Sequence, residues 1–321
     1  MYHSKISGLG YYVPENVVTN DDLSKIMDTN DEWIQERTGI KERRHVIRGE
    51  DTTTSMGVKA AEIAIQRANV AKEDIDFVIF ATLSPDYYFP GPGVLVQRDL
   101  GLKTVGALDV RNQCSGFVYA ISIADQYIKT GMYKNILVIG SEVHSTGLDM
   151  TDRGRGVSVI FGDGAGAAVL SREEDLTKGI LSTHLHSEGQ HAEELALVAP
   201  GMGKRWVTDI IADNDPNDES YYPYMNGQFV FKNAVVRFSE VINEGLQANN
   251  LQVSDINMLV PHQANLRISQ FIQQKFRLTD DQVFNNIQKY GNTTAASIPI
   301  ALTEAWEQGK IKSGDLVVLA A

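Results

Sequence analysis

The sequence predicts a layered α/β fold built from two duplicated halves. Three observations support this fold class: strands that are apolar along their whole length, amphipathic helices between them, and two segments of the first half that recur in the second. Continuous runs rich in Ile and Val, rather than alternating patterns, are typical of strands buried on both faces. The predicted strands are Ile75–Leu83, Val105–Val110, Asn135–Glu142, Asn257–Val260 and Asp315–Ala320.

Helical spacing of apolar side chains characterises the segments between these strands. In Thr54–Asn69, Val58, Ala61, Ile65 and Ala68 recur every three or four residues, which places them on one helix face. Alternation of such helices with buried strands indicates an α/β layered fold. The other predicted helices are Ser115–Lys129, Phe231–Asn249 and Ala295–Gln308.

The two halves of the chain resemble each other. Asn69 and the strand after it correspond without a gap to Asn250 and its strand, at an offset of 181 residues. Lys134 corresponds to Lys312 at an offset of 178, again just before a strand. Two matches in the same order indicate a duplicated unit of about 170–180 residues, although helix–turn–strand units also resemble one another without duplication.

The duplication predicts domains at residues 1–175 and 176–321. In the first half, a glycine-rich turn at residues 161–166 leads into a further predicted strand, Ala167–Leu170. The second half reaches Ala321 before any equivalent of that strand. From the repeat alone, we therefore expect the second half to lack its last strand.

Composition narrows the classes of function. The 321 residues carry a formal net charge of −12, which disfavours binding to nucleic acid or to an anionic membrane. No apolar run is long enough for a transmembrane helix, and the first residues do not form a secretion signal. The single cysteine cannot form an intrachain disulfide, so we expect a reducing, cytoplasmic location.

That single cysteine, Cys114, lies between a predicted strand and a predicted helix. Free backbone N–H groups at a helix N-terminus lower the pKa of a thiol, so the position favours a nucleophile. Gly116 allows close approach of a backbone or an acyl chain. The alternative is a small buried apolar side chain, which is the commoner role of a lone cysteine.

Two further polar residues could act with Cys114. An offset of 178 relates Cys114 to Asn292, which also precedes a predicted helix and could instead be its N-cap. His262 directly follows a buried strand, where α/β sheets place ligand contacts, although a structural histidine is equally compatible. Cysteine, histidine and asparagine together suit thioester chemistry: the thiolate forms an acyl-enzyme, and the other two donate hydrogen bonds to a developing enolate.

Metal and nucleotide sites are not predicted. His184 and His186 would share one strand face, but no third ligand beyond His191 suggests itself. The glycines of residues 162–166 lead into a strand rather than a helix, unlike a dinucleotide-binding motif.

The chain resembles β-ketoacyl-acyl-carrier-protein synthase III of the thiolase-like superfamily, from about Ile6 to Ala320. The motifs that carry the resemblance are Asp31-Glu32-Trp33-Ile34 with Arg37-Thr38-Gly39-Ile40, Cys114-Ser115-Gly116-Phe117, residues 160–168, Val260-Pro261-His262-Gln263-Ala264-Asn265 and Gly291-Asn292-Thr293. The resemblance implies a five-layered αβαβα fold, a homodimer, and no cofactor other than coenzyme A thioesters as substrates. The implied partners are an acyl-CoA and malonyl-acyl-carrier protein.

The resemblance also implies roles for particular residues. Cys114 would be the nucleophile, with His262 and Asn292 binding the malonyl thioester carbonyl and supporting decarboxylation. Further residues would bind the substrates: Trp33 and either Arg153 or Arg155 at the adenine, Arg37 at the nucleotide end, Gly227, Phe231 and Asn265 along the pantetheine tunnel, and Phe89 capping the partner's acyl pocket. Lys232 and Arg267 would meet the acidic carrier protein, although each would also pass as an ordinary surface charge.

The expected reaction is a decarboxylating Claisen condensation that begins fatty-acid synthesis. A thiolase would need a second cysteine, and a chain-elongating synthase a second histidine where Asn292 stands. Two alternatives stay open on the sequence: a secondary-metabolite ketosynthase or acyltransferase with a different acceptor, and a non-catalytic paralogue that binds a partner synthase. The starter acyl group is not determined.

Overall fold

Two mixed α/β units form the molecule. The structure, a computed structural model, describes residues 2–201, 208, 215 and 217–321. The strands are β1 His3–Tyr12, β2 Val17–Thr19, β3 Glu42–Arg44, β4 Phe77–Ala81, β5 Gly106–Val110, β6 Asn135–Glu142, β7 Gly164–Glu173, β8 Leu195–Ala196, β9 Tyr224–Met225, β10 Met258–Pro261 and β11 Val317–Ala320. The α-helices are α1 Asn20–Leu23, α2 Asp31–Thr38, α3 Thr53–Ala68, α4 Pro92–Asp99, α5 Gly116–Lys129, α6 Arg155–Ser158, α7 Gly227–Ala248, α8 Leu266–Phe276, α9 Ile287–Tyr290 and α10 Ser297–Glu307.

A five-stranded sheet forms the first unit, in the order β1-β7-β6-β4-β5. Strands β5, β4 and β6 run parallel, whereas β7 is antiparallel to both β6 and β1. The central strands are almost wholly buried, as their continuous apolar runs predict. Among the described residues, β10 and β11 form the sheet of the second unit and are parallel.

The layers follow from which helices cover which sheet. Helices α3 and α4 cover one face of the first sheet, and α5 and α10 lie between the two sheets. Helices α7 and α8 cover the outer face of the second sheet. This is the five-layered αβαβα arrangement, so the predicted fold class is confirmed.

The duplication is visible in the strand order. Val283 pairs with Leu259 of β10 in a parallel bridge, so Val283, β10 and β11 repeat the arrangement of β5, β4 and β6. The C-termini of α3 and α7 are each followed by an asparagine with positive φ, Asn69 and Asn250. The boundary that divides residues 1–175 from 176–321 stays a prediction.

The structure corrects one step of the repeat argument. Helix α5 begins at Gly116 and α10 at Ser297, and each follows a short 3₁₀ turn, Gln113–Ser115 and Thr294–Ala296. The first residues of these turns, Gln113 and Thr294, both have positive φ. The offset here is therefore 181, which relates Cys114 to Ala295 and not to Asn292. The offset of 178 applies only locally, because α10 has 11 residues where α5 has 14, and the longer segment before β11 restores the offset of 181 at the strand.

A cavity of about 850 Å³ lies between the two halves, against β1 and β11. Its lining includes Leu9, Val118, Trp306 and Leu319, and it does not include Cys114, His262 or Asn292. Among the described residues, no helix is both long and apolar enough to cross a membrane.

Candidate active site

Cys114 lies in the short turn Gln113–Ser115, directly before α5. The predicted position at a helix N-terminus is therefore confirmed. Gly116 lets this end of α5 pack closely, because a Cβ there would lie 3.1 Å from the Ala81 Cβ and 3.4 Å from the Ala295 Cβ. The close packing brings the Cys114 turn against the turn Thr294–Ala296 of the other half.

The predicted low pKa of the thiol is wrong for the unliganded protein. Burial, and next the charge of Glu142, raise the pKa of Cys114 to about 12, and a backbone N–H opposes them only in part. By accessible surface the residue is half-buried, but protein atoms surround the thiol, so lost hydration outweighs the helix N-terminus. At neutral pH the Cys114 side chain is therefore a thiol.

His262 follows β10, and its ring is oriented by a residue of α10. Its backbone N–H donates to the Ala320 carbonyl at 2.7 Å, and its Nδ1 lies 2.6 Å from the Ser297 hydroxyl. Its Nε2 is buried and has no hydrogen-bond partner among the residues that the structure describes. Burial lowers the pKa of His262 to about 4, so the imidazole is neutral at pH 7. A buried polar atom without a partner is rare in proteins and often marks a functional site.

Asn292 lies in the loop between α9 and the turn Thr294–Ala296. Its backbone pairs with the first half, since its N–H donates to Ile160 and its carbonyl accepts from Gly162. Its Oδ1 accepts from the Thr294 N–H at 2.8 Å, so the capping role is also present. None of the described residues accepts a hydrogen bond from its Nδ2, which leaves that group able to bind a substrate carbonyl.

The three residues converge on one packing contact. Asn292 precedes the turn Thr294–Ala296, and Cys114 lies in the turn that packs on that one. Ser297 directly follows the turn Thr294–Ala296 and hydrogen-bonds the His262 ring. The Cys114 turn belongs to the first half and the other two residues to the second. The site is thus formed where the two halves meet.

Trp33 on α2 lies beside two arginines, one on the same helix and one at the start of α6. The Arg37 guanidinium is 4.5 Å from the Trp33 ring centroid and that of Arg155 is 5.6 Å. Arg155 also donates to the carbonyl and carboxylate of Asp28, at 2.6 and 2.9 Å. Arg153 instead pairs with Asp149 and lies over the ring of Tyr222. The structure therefore places Arg155, and not Arg153, beside Trp33.

Helix α8 links α2, which carries Trp33 and Arg37, to α7, which carries Phe231. Asn265 caps α8, and its Nδ2 donates to the Arg37 carbonyl at 2.9 Å. The Arg267 guanidinium lies 5.5 Å from the ring centroid of Phe231, which is half-buried on α7. Gly227 is the exposed first residue of α7, and Lys232 is exposed one residue after Phe231.

Phe89 lies apart from these residues. It is 83% exposed on the loop between β4 and α4, beside the exposed Tyr87 and Tyr88. In this single chain it contacts neither the Trp33 group nor the site residues of the second half.

His184 and His186 both bond the carboxylate of Glu244, at 3.0 and 2.6 Å. Both carboxylate oxygens are thus used in a link between residues 182–186 and α7. Among the residues described, no group of three or more potential ligands is placed to hold a metal ion.

Sequence reasoning missed Ser297 and Glu142. Ser297 is the first residue of α10 and would have needed the pairing of α10 with β10 to be recognised. Glu142 ends the apolar strand β6 and is fully buried. A lone acid that closes an apolar strand was the available signal, because such residues are seldom buried without a purpose.

Comparison with known proteins decides the family. The family model for 3-oxoacyl-[acyl-carrier-protein] synthase III matches residues 108–189, and its C-terminal model matches residues 246–321. The chain is 42% identical over 322 residues to β-ketoacyl-[acyl-carrier-protein] synthase III of Sulfurimonas denitrificans, covering 100% of this chain and 95% of the relative. The chain belongs to this synthase III family.

Two further matches agree. The synthase III of Aquifex aeolicus is 46% identical over 318 residues, covering 99% of this chain and 95% of that one. A crystal structure of the 3-oxoacyl-[acyl-carrier-protein] synthase III from the same organism matches with a TM-score of 0.89 at 45% identity, again covering 99% and 95% of the two chains. The chain is therefore an acyl-transferring condensing enzyme with the thiolase-like fold.

Proposed function

We propose that this synthase III condenses an acyl-CoA starter with malonyl-acyl-carrier protein, through an acyl group held on Cys114. The observation that carries the proposal is the convergence of Cys114, the unpartnered Nε2 of His262 and the free amide of Asn292 on one contact between the halves. The likeness to the Aquifex and Sulfurimonas enzymes supports the same substrates and a place at the start of fatty-acid synthesis.

In the first half-reaction, the Cys114 sulfur attacks the thioester carbonyl of the acyl-CoA. The C–S bond to coenzyme A breaks, and the departing coenzyme A thiolate takes up a proton. The acyl group remains on Cys114 as a thioester. No metal or redox cofactor takes part in this scheme.

In the second half-reaction, malonyl-acyl-carrier protein enters the same tunnel. Loss of carbon dioxide leaves an enolate, whose oxygen accepts hydrogen bonds from His262 Nε2 and Asn292 Nδ2. Neutral donors suit this role, because they stabilise the oxyanion by hydrogen bonds without transferring a proton to it. The enolate carbon then attacks the acyl-Cys114 carbonyl, and the Cys114 thiolate leaves.

The substrate-binding roles rest on the arrangement around Trp33. Arg155 and Trp33, 5.6 Å apart, would separate to take the adenine of coenzyme A between them, and Arg37 would contact the nucleotide end. From there Asn265, Phe231 and Gly227 mark a path for the pantetheine arm. Lys232 and Arg267 are exposed and would attract an acidic carrier protein to the entrance of this path, despite the net charge of −12.

A homodimer and a cytoplasmic location complete the proposal. Strand β5 is an edge of its sheet and is open to pairing, and the neighbouring loop exposes Tyr87, Tyr88 and Phe89. An exposed edge strand beside aromatic side chains is a favourable surface for a second copy. Phe89 would then reach the partner's acyl pocket. The absence of any second cysteine for a disulfide agrees with a reducing compartment.

The alternatives have less support. The named relatives are synthases III of fatty-acid initiation, which favours malonyl-acyl-carrier protein over another acceptor. The intact set of Cys114, His262 and Asn292 disfavours a non-catalytic paralogue.

The mass of the intact protein after incubation with a panel of acyl-CoAs tests the proposal. We expect an acyl-sized gain on the wild-type protein and none on Cys114→Ala, because Sγ carries the acyl group. Adding malonyl-acyl-carrier protein should then remove the gain and release a β-ketoacyl product. No gain with any acyl-CoA, on a folded protein, would contradict acyl-CoA priming.

A further inference from the structure

The condensation scheme above does not use Glu142, although it is a fully buried acid whose charge acts on Cys114. Glu142 ends β6 with no exposed surface. It accepts hydrogen bonds from the Thr82 and Ser84 hydroxyls at 3.0 and 2.6 Å and from the Leu83 N–H at 3.2 Å. Among the residues described, no cation pairs with it. A buried carboxyl group held only by neutral donors is costly to keep charged.

Glu142 connects the elements that carry the site. Thr82–Ser84 directly follow β4, and this segment continues into the loop that carries Phe89. On its other side, β6 packs on the turn that begins at Thr294. The Thr294 hydroxyl lies 2.8 Å from His144 Nε2, and the Thr294 N–H donates to Asn292 Oδ1. The turn that begins at Thr294 packs on the turn that holds Cys114. Ala81, which directly precedes the Thr82–Ser84 segment that holds the Glu142 carboxyl, packs against Gly116 at the start of α5, two residues after Cys114.

The charges of Glu142 and Cys114 oppose each other. Burial raises the pKa of Glu142 to about 7, partly offset by its hydrogen bonds. Its carboxylate in turn raises the pKa of the Cys114 thiol, second only to burial. Coupling of two titrating groups is reciprocal, so a thiolate at Cys114 also raises the proton affinity of Glu142.

The other titratable groups around Glu142 do not balance the charge of Cys114. Burial lowers the pKa values of His144 and His262 to about 4, which keeps both rings neutral at pH 7. Asp163 already accepts hydrogen bonds from the backbone N–H groups of Val46 and His144 and from the Ser145 hydroxyl. The groups on elements packed around Glu142 are Cys114, His144, Asp163, His262, His45 on the segment after β3 and Asp86, which accepts from the Thr54 N–H on α3.

We propose that Glu142 is a positioning residue for Cys114 that also balances its charge: when the thiol loses its proton, Glu142 binds one, so the buried site holds one negative charge and not two. The S–H bond at Cys114 breaks and an O–H bond forms at Glu142. The thiolate then attacks the thioester, coenzyme A leaves as a thiolate that is protonated from solvent, and Glu142 releases its proton. This inference rests on the proposed role of Cys114 as the nucleophile.

The direction of the pH dependence follows from the signs. Below about pH 7 Glu142 is neutral and does not oppose ionisation of the thiol. Above that pH the carboxylate opposes a second negative charge, so the thiolate forms only at higher pH. Removing the carboxylate should therefore shift thiolate formation to lower pH.

Alkylation of Cys114 with iodoacetamide tests this, because the chain has no other cysteine. In Glu142→Gln, which keeps the size and most hydrogen bonds but not the charge, we expect the midpoint of the pH–rate profile to fall by about one pH unit. That is about tenfold faster alkylation at mildly alkaline pH. Glu142→Asp retains the charge and should keep the midpoint of the wild-type protein. A role in folding alone would lower rates without moving the midpoint.

Iodoacetamide needs no thioester, so the outcome does not depend on whether acyl-CoA is the starter. A profile of folded Glu142→Gln that superimposes on the wild-type profile would overturn the proposal. If Glu142→Gln does not fold, difference infrared spectroscopy of the wild-type protein replaces it. We expect the band of a protonated carboxyl group that disappears as the pH rises through about 7, and its absence would equally overturn the proposal.

Discussion

Hydrogen bonds to other residues orient His262 and Asn292. His262 depends on Ser297, because the 2.6 Å contact at Nδ1 fixes the ring and leaves Nε2 free for the substrate. Asn292 depends on Thr294 in the same way. Such orienting partners keep donors in place before the substrate arrives, which is how buried hydrogen bonds contribute to catalysis.

Replacing Ser297 should therefore impair the second half-reaction selectively. In Ser297→Ala the His262 ring loses a hydrogen bond of about 1 kcal/mol, so we expect kcat for condensation to fall about fivefold or more. Acylation of Cys114 by acyl-CoA should be unchanged, since His262 acts on the malonyl group. The measurement is the rate of each half-reaction, by intact mass and by product formation.

Thr303→Ala is a matched control for that experiment. Thr303 is also buried on α10 and donates only to the Pro299 carbonyl of the same helix. Equal losses in both variants, or an equal loss of both half-reactions in Ser297→Ala, would show that α10 packing and not the His262 ring is responsible.

At the scale of elements, β1 and α3 approach unusually closely. A Cβ at Gly8 would lie 2.2 Å from the Ala64 carbonyl oxygen and 2.5 Å from the Ala68 backbone nitrogen. Neither atom can rotate away, because both belong to the helix backbone. The glycine therefore lets α3 lie directly on the strand, and helix α3 is part of the layer that supports the first sheet.

Gly8→Ala should destabilise the protein by about 1–3 kcal/mol, as expected when a packed interface must open to admit a methyl group. The urea midpoint of unfolding measures this. Gly189→Ala is the control, because a Cβ there meets no atom within 4 Å. Equal midpoints for the two variants would contradict the close approach of β1 and α3.

At the scale of the whole molecule, the first sheet has an open edge at β5. Gly106 and Asp109 on β5 are exposed, and the aromatic loop beside it, Tyr87 to Phe89, lies largely in solvent. The proposed homodimer would cover this surface and bring Phe89 towards a second active site.

Sedimentation should therefore show a species of twice the chain mass of 35.4 kDa at micromolar concentrations. Introducing charge with the double variant Tyr88→Asp and Phe89→Asp should shift it towards the monomer, because buried carboxylates without partners are unfavourable. Val236→Asp, at another exposed apolar position on α7, should leave the dimer intact. A monomeric wild-type protein at those concentrations would refute the dimer.

The sequence by itself determined the strands β4 to β7, β10 and β11, the helices between them, the duplicated fold and the family. These are recorded locally, as runs of apolar residues, helical spacing and short motifs around Cys114, His262 and Asn292. Strand β6 has the predicted bounds, and α3 and α5 differ from prediction by one residue at the ends. Strand β1 was not predicted, because its glycines interrupt the apolar run.

Only the tertiary structure decided which residues meet across the halves. It placed Arg155 rather than Arg153 beside Trp33, joined Ser297 to His262, and bonded the buried Glu142 to Ser84. It also reversed the expected pKa shift of Cys114, because burial is a property of all surrounding atoms and not of a helix end. Contacts between distant residues and the hydration they remove depend on how the two halves pack, which no local pattern records.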